Sequence, residues 1–389
     1  MVSLRFDFRD LFRAPRLAFS LQRMWILLVG IAAGWLTYFL LTFLALLLAG
    51  PAPGEIWSRF GLLPALSASR YSFPWYSWLL QGLAAAAAFC ALLIAQTAHA
   101  RALYMSCKGE HFYSWRKAYA FAWRKLGAVI MTPTVLGLLM LLFIGGAWLA
   151  GLAGRIPWAG ELGIALLAVI WFVLALLMIF FGMVLLVALL YAPAVIAATD
   201  EDAFESIFQL FSLVWNQPWR LLIYELLSVL LALFALGVLA FFCKRAVGLT
   251  NSLFSYFMGG NYADLANNGQ ALVQAWTAAG EGMLFWLFRG FTPLLYFTQE
   301  FYYLPVQELA RPTVAVSGYL YAFSLLFLAG WVFSYGLSTL NAAHLLSYLS
   351  MRKHKDEVNL LERRDREEEY EEELESEADG KEPPPAQNQ

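Results

Sequence analysis

The stretch "YAPAVIAATDEDAFESIFQLFSLVWNQPWRLLIYEL", Tyr191 to Leu226, decides the fold. A long apolar run ends beside Pro193 and meets three acids, Asp200, Glu201 and Asp202. An aromatic segment follows, and after Pro218 a second apolar run begins with a single acid inside it, Glu225. Two hydrophobic runs joined by a short amphipathic piece describe a chain that crosses a lipid bilayer, travels along its surface and crosses again.

The rest of the chain repeats this pattern. Of 389 residues, 61% are hydrophobic and 14% charged, whereas a soluble domain carries about 25% charged residues. The runs Met24–Leu48, Tyr71–Ala100, Leu126–Gly154, Leu162–Thr199 and Pro312–Met351 contain no Asp, Glu, Lys or Arg, and Leu221–Cys243 contains only Glu225. Crossing about 30 Å of hydrocarbon takes about 20 helical residues, and all six runs are long enough. The expected fold is an all-α polytopic helical transmembrane bundle of about six spans, near 24–48, 75–98, 126–151, 163–198, 221–243 and 316–348. Leu162–Thr199 is read as one long helix that bends near Pro193. The first apolar run is too long for a cleaved signal core, so it reads as an uncleaved span.

Lys and Arg on short loops set orientation. The arm 1–23, the connection 101–125, Arg220 and the tail after Met351 together hold 19 of the 26 basic residues. An even number of spans with both termini cytoplasmic places them all on one side, in the inner membrane of a bacterial cell. Arg5, Arg9 and Arg13 recur every four residues, which suits the arm to an anionic lipid surface.

Three units are expected, each an in-plane helix, a span out and a span back. "SWRKAYAFAW" (Ser114–Trp123) laid over "SIFQLFSLVW" (Ser206–Trp215) matches serine, a later aromatic and the closing tryptophan. The in-plane helix after Thr199 is expected to start with a Thr199–Asp202 capping box. Glu205, Gln209, Ser212 and Asn216 form its polar stripe, and Phe204, Ile207, Phe208, Phe211 and Trp215 its apolar face. Gly30 and Gly34 make a GxxxG in the first span and Ala84–Ala88 line the second, both suited to close helix packing.

Residues 246–311 read as an external aromatic segment lying on or dipping into the outer leaflet, with the Gly and Asn of "NSLFSYFMGGNYADLANNGQ" marking turns, or equally as a lid over a cavity or a docking face for another membrane protein. The tail 351–389 holds 14 of the 28 acids. It reads as disordered from about Glu367 and suits a basic cytoplasmic partner.

No P-loop, dinucleotide-binding turn, zinc-protease helix or nucleophile elbow is present in the sequence. The three cysteines are scattered, and the four histidines never fall four residues apart, although His99 and His344 lie where they could meet. No enzymatic activity, cofactor, metal or nucleic-acid partner is expected. The candidate polar site is Glu225, an acid within a span, which default reasoning treats as functional. A structural role comes first, in which Glu225 pairs with Arg220 or Arg124 or reaches the headgroups, and Tyr224, Asn341 and His344 are candidate neighbours at a similar depth.

The segment from Asp202 to Leu231 resembles one found in bacterial polytopic membrane proteins with no assigned activity, on Asp202, Ala203, Phe204, Ser206, Val214, Pro218, Arg220, Leu222 and Tyr224. The resemblance implies the helix layout and no chemistry. The lipid bilayer is the first expected partner and other membrane proteins the second. A non-enzymatic scaffold or accessory subunit is the first functional expectation, and a permease for a small or lipidic substrate the alternative.

Overall fold

A computed structural model describes residues 4–66, 73–110, 112–278 and 312–363. The described residues are helical, with no strand among them. After a 3-10 turn at Phe8–Arg13 come α1 (Ala14–Ala18), α2 (Leu21–Leu48), α3 (Pro53–Phe60), α4 (Trp75–Lys108), α5 (Trp115–Arg124) and α6 (Leu126–Ala153). The chain continues through α7 (Ala159–Leu166), α8 (Ala168–Thr199), α9 (Ala203–Asn216), α10 (Pro218–Met258), α11 (Gly260–Ala278) and α12 (Pro312–Asp356). Six of these, α2, α4, α6, α8, α10 and α12, are long and apolar enough to cross a membrane. The reason is compositional: in hydrocarbon a helix satisfies its own backbone polar groups, and Leu, Ala, Val and Phe cost nothing there.

Several helices overrun the boundaries expected from charge. The run from Arg101 is no loop, because α4 continues to Lys108 and Arg101 is fully buried in it. A charge ends a hydrophobic run in sequence, but a charge with buried partners does not end a helix. Likewise α10 extends to Met258, so the first part of the expected external segment prolongs a span. The turn there falls at Gly259 (φ +60°) alone, and Asn251, read as a turn residue, is buried inside α10. Its Oδ1 accepts from the Tyr262 hydroxyl at 2.7 Å and the Tyr321 hydroxyl at 2.9 Å. The remainder of that segment, 279–311, and the tail beyond 363 lie outside the described residues.

The single helix expected over Leu162–Thr199 is two. The break comes at Leu167 (φ −93°, ψ 13°), between α7 and α8, while Pro193 is buried inside α8. No Gly or Pro stands at that break, so no turn signal announces it.

The molecule has two compact units. The first gathers the described parts of Met1–Arg13, Gln96–Leu227 and Asn341–Gln389; the second, Ala14–Ala95 and Ser228–Leu340. Thus α4, α10 and α12 each contribute to both.

In the second unit one core joins Leu236 and Ala240 of α10, Val273 and Trp276 of α11, and Ala322, Leu325, Ala329 and Val332 of α12. A smaller one joins Leu46, Ile56, Phe60 and Leu66. Close packing at Gly34 follows the sequence expectation: a Cβ there would stand 3.2 Å from the Ala88 carbonyl oxygen and 3.5 Å from the Ala91 Cβ. The α3 end is pinned by Leu62 N–H donating to the Trp276 carbonyl at 3.1 Å. At Gly61 (φ +53°) a Cβ would come within 2.4 Å of that carbonyl, so no larger residue fits.

In the first unit α6 and α8 form an antiparallel pair against α9. Phe180 and Phe181 of α8 pack on Phe211, at 5.8 and 5.5 Å between ring centroids.

Candidate functional site

The first unit concentrates polar side chains in its interior, contributed by α4, α8, α9, α10 and α12. Thr97, His99, Arg101, Ser106, Thr199, Asp200, Ser206, Gln209, Asn341, His344, Ser347 and Ser350 are all buried. Buried polar groups cost free energy unless paired, so their partners define the site.

At its centre, His344 Nε2 of α12 lies 3.0 Å from Glu225 Oε2 of α10. Glu225 sits seven residues into α10, about 10 Å along the axis at 1.5 Å per residue. The expected partner, Arg220, is exposed near the start of the helix and takes no part. The ring of Tyr191 packs on the histidine, 4.6 Å between centroids, and α8 delivers it about two turns before Thr199, its last residue. Tyr224, the neighbour of Glu225, faces a different way: its hydroxyl is 3.4 Å from the Ser350 hydroxyl.

Asn341 is one turn of α12 away from His344 and belongs to a second pairing. Its Nδ2 donates to the Gln96 carbonyl at 2.8 Å and lies 3.1 Å from His99 Nδ1. Of the five candidate residues, then, Glu225 and His344 form an acid–imidazole pair, Asn341 and Tyr224 have separate partners, and Arg220 lies outside. His99 and His344 have different partners, and no group of three His, Cys, Asp or Glu able to hold a metal occurs among the described residues.

Arg101 was missed as a site residue. Its guanidinium, fully buried, donates through Nη1 to the Ala197 carbonyl at 3.1 Å and stacks 4.3 Å from the Phe121 ring centroid. That carbonyl belongs to the last turn of α8, where free carbonyls attract cations. The sequence signal was available: an arginine embedded in "AQTAHARALYMSC" has an apolar run on its left and an uncharged turn and a half on its right.

The Thr199–Asp202 capping box is absent. Thr199 is the last residue of α8 and its hydroxyl donates back to the Val195 carbonyl at 2.9 Å. Asp200 takes a left-handed conformation (φ 55°) and ends the helix, a position Asp tolerates better than most residues. Lys125, at the junction of α5 and α6, grips it twice, at 2.7 Å to the carbonyl and 2.9 Å to Oδ1.

The inward face of α9 also differs from expectation. Ser206, Gln209, Leu210, Leu213 and Val214 are buried, while Phe204, Phe208 and Trp215 are exposed. Gln209, read as surface stripe, accepts a hydrogen bond from the Tyr348 hydroxyl. The alignment of Ser114 with Ser206 is off by about one turn of helix. Ser114 is the N-cap of α5, accepting from Lys117 N–H at 3.2 Å, and Asp202 is the N-cap of α9. Counting from these caps, the buried Ala118, Phe121 and Ala122 of α5 correspond to Ser206, Gln209 and Leu210. Aligning the serines instead displaced the match by four residues, which a helix disguises because positions four apart share a face. Beside Phe121, burial pushes the Tyr119 phenol up to about 12.

Residues 5–10 and 357–363 add bonds to these same helices. Asp10, buried, accepts from the N–H groups of Arg5 and Phe6 at 2.7 Å each, and the Phe6 carbonyl accepts from the Ser350 hydroxyl. Residues beyond α12 fold back: the Tyr104 hydroxyl donates to the Leu360 carbonyl at 2.7 Å, Lys108 Nζ to the Arg363 carbonyl at 2.9 Å, and Arg363 meets Glu201 at 3.3 Å. Chemically the cluster is one acid–imidazole pair with an aromatic wall, inside a shell of hydrogen bonds that fixes five helices. No family model matches this sequence, and no curated protein or solved structure is similar to it.

Proposed function

We propose that the chain is a multi-pass integral membrane protein of the bacterial inner membrane that works without chemistry of its own, as a scaffold or accessory subunit of a membrane complex. Both termini are cytoplasmic in this reading, and the exposed Phe204, Phe208 and Trp215 of α9 rest in the headgroup boundary. One observation carries the scaffold role. Only 6% of the most apolar stretch of α6 is buried by its own chain, and 17% of that of α8. The pair therefore offers a broad apolar surface, including Leu138, Leu141, Val169 and Phe172, for another membrane protein to pack on. The acidic tail suits a basic cytoplasmic partner. A photoreactive amino acid at Leu138 or Val169 in native membranes tests this. The expected product is one discrete protein adduct; lipid adducts alone would sink the scaffold.

A permease is the second reading, favoured by the Glu225–His344 pair, since ionisable groups within spans mark proton and substrate paths. Proteoliposomes containing Glu225→Gln provide the test. A proton flux under an imposed pH gradient that the substitution leaves unchanged counts against transport through this pair.

A further inference from the structure

Between α6 and α8, next to α7, lies a cavity of about 500 Å³, within the range of about 300–1,000 Å³ typical of small-molecule sites. Leu142 and Ala147 of α6 face Leu174 and Met178 of α8, with Ile164 contributed by α7. One end is closed by the Phe143 ring, 5.3 Å from that of Phe181. Protein interiors are close-packed, yet a Cβ placed on Gly146 or Gly151 in this wall would meet nothing within 4 Å. The space is therefore kept open by the chain rather than demanded by tight helix contact.

The wall is apolar with one exception. The indole Nε1 of Trp171 is buried and has no acceptor among the described residues. A buried donor left unmet is costly, so a fitting occupant brings an acceptor to Trp171 and hydrocarbon to the rest. Trp171 lies four residues past the break at Leu167, close in sequence to Arg155, Trp158 and Glu161. In the multi-pass reading this end of α8 falls near the headgroup boundary, where tryptophan concentrates. From Gly151 to Leu142 the groove follows nine residues of α6, about 13 Å toward the bilayer centre.

We infer that this cavity binds one acyl chain of a bilayer phospholipid, with the ester carbonyl accepting from Trp171 Nε1. A plain hydrocarbon offers no acceptor, and a fatty acid would bring a charge to a wall that holds no cation. The site rests on the multi-pass reading but not on the scaffold role.

The test uses full-length protein in phosphatidylethanolamine–phosphatidylglycerol vesicles doped with a phosphatidylcholine whose acyl chain carries a diazirine. After irradiation, adducts are mapped by peptide mass spectrometry. Adducts are expected to concentrate on residues 142–151 and 164–178 over the equally lipid-accessible Phe234 and Phe241 of α10. Gly146→Leu fills the space without meeting backbone, and should lower cavity labelling while leaving α10 labelling unchanged. Trp171→Phe keeps the ring and removes the donor. It should lower labelling by about fivefold, the worth of roughly one net hydrogen bond, and an ether-linked analogue should label the unsubstituted protein at that same reduced level. Labelling spread evenly over the six helices, or unmoved by Gly146→Leu, overturns the site. A diazirine fatty acid that labels it better than the ester lipid overturns the phospholipid assignment. Absence of labelling on every helix would overturn the membrane reading itself.

Discussion

Glu225 and His344 stand 119 residues apart in sequence and 3.0 Å apart in space, the acid on α10 and the imidazole on α12. The His344 side chain is 4% exposed and that of Glu225 25%. The pair is thus a largely buried polar link between two helices that also build the second unit.

That link should be visible as coupling. Glu225→Gln and His344→Ala are each expected to lower stability in detergent. The double variant should be less destabilised than the sum, with an interaction energy of roughly 0.5–3 kcal/mol for residues in direct contact. Strict additivity in thermal unfolding would show that the two side chains do not work as a pair.

Arg101 depends on shape as much as on charge. Lysine cannot reproduce the flat guanidinium that reaches the Ala197 carbonyl while lying on Phe121. Arg101→Lys is expected to cost about 1.5–3 kcal/mol, the range for a hydrogen bond to a charged group. Phe121→Leu, which keeps the bulk and loses the ring face, should cost about 0.5–2 kcal/mol. If Arg101→Lys melts with the parent protein, the stacked geometry is unimportant.

The fold-back of residues 357–363 is held by the burial of Leu360 and Leu361 and by polar contacts that include the Tyr104 hydroxyl to the Leu360 carbonyl. Removing that hydroxyl by Tyr104→Phe forfeits about 0.5–1.5 kcal/mol, enough to raise the population of the released segment up to about tenfold. Trypsin cleavage after Arg363 should accelerate accordingly under conditions where opening is fast relative to cutting. An unchanged rate would mean that Lys108 and Arg363 hold the segment by themselves.

The shifted repeat register makes a contrast between two caps. Ser114→Ala removes a side-chain cap and should cost about 1 kcal/mol. Asp202, although at the same position of α9, makes no side-chain cap hydrogen bond. Asp202→Ala should therefore cost only a few tenths of a kcal/mol, leaving mainly the loss of a charge at the helix start. Equal losses in chemical unfolding would contradict the cap-to-cap correspondence.

What the sequence determined by itself follows from properties that are local. Six runs such as Leu126–Gly154, five without any charge and one with Glu225 alone, are long enough to become membrane-length helices whatever surrounds them, because nearly every backbone group is satisfied within the run. Glycine at 34 announced close approach, since only a residue without Cβ lets the Ala88 carbonyl come so near. Tertiary structure decided everything that depends on a partner far along the chain. The partner of Glu225 is His344 and not the nearby Arg220, because helix packing sets the distance across the bundle while sequence spacing sets it only along one helix. Arg101 stays helical and buried because Ala197 and Phe121, from two other helices, meet it there. Gln209 turns inward because Tyr348 waits inside. The break at Leu167 carries no glycine or proline, and is visible only once the chain is folded.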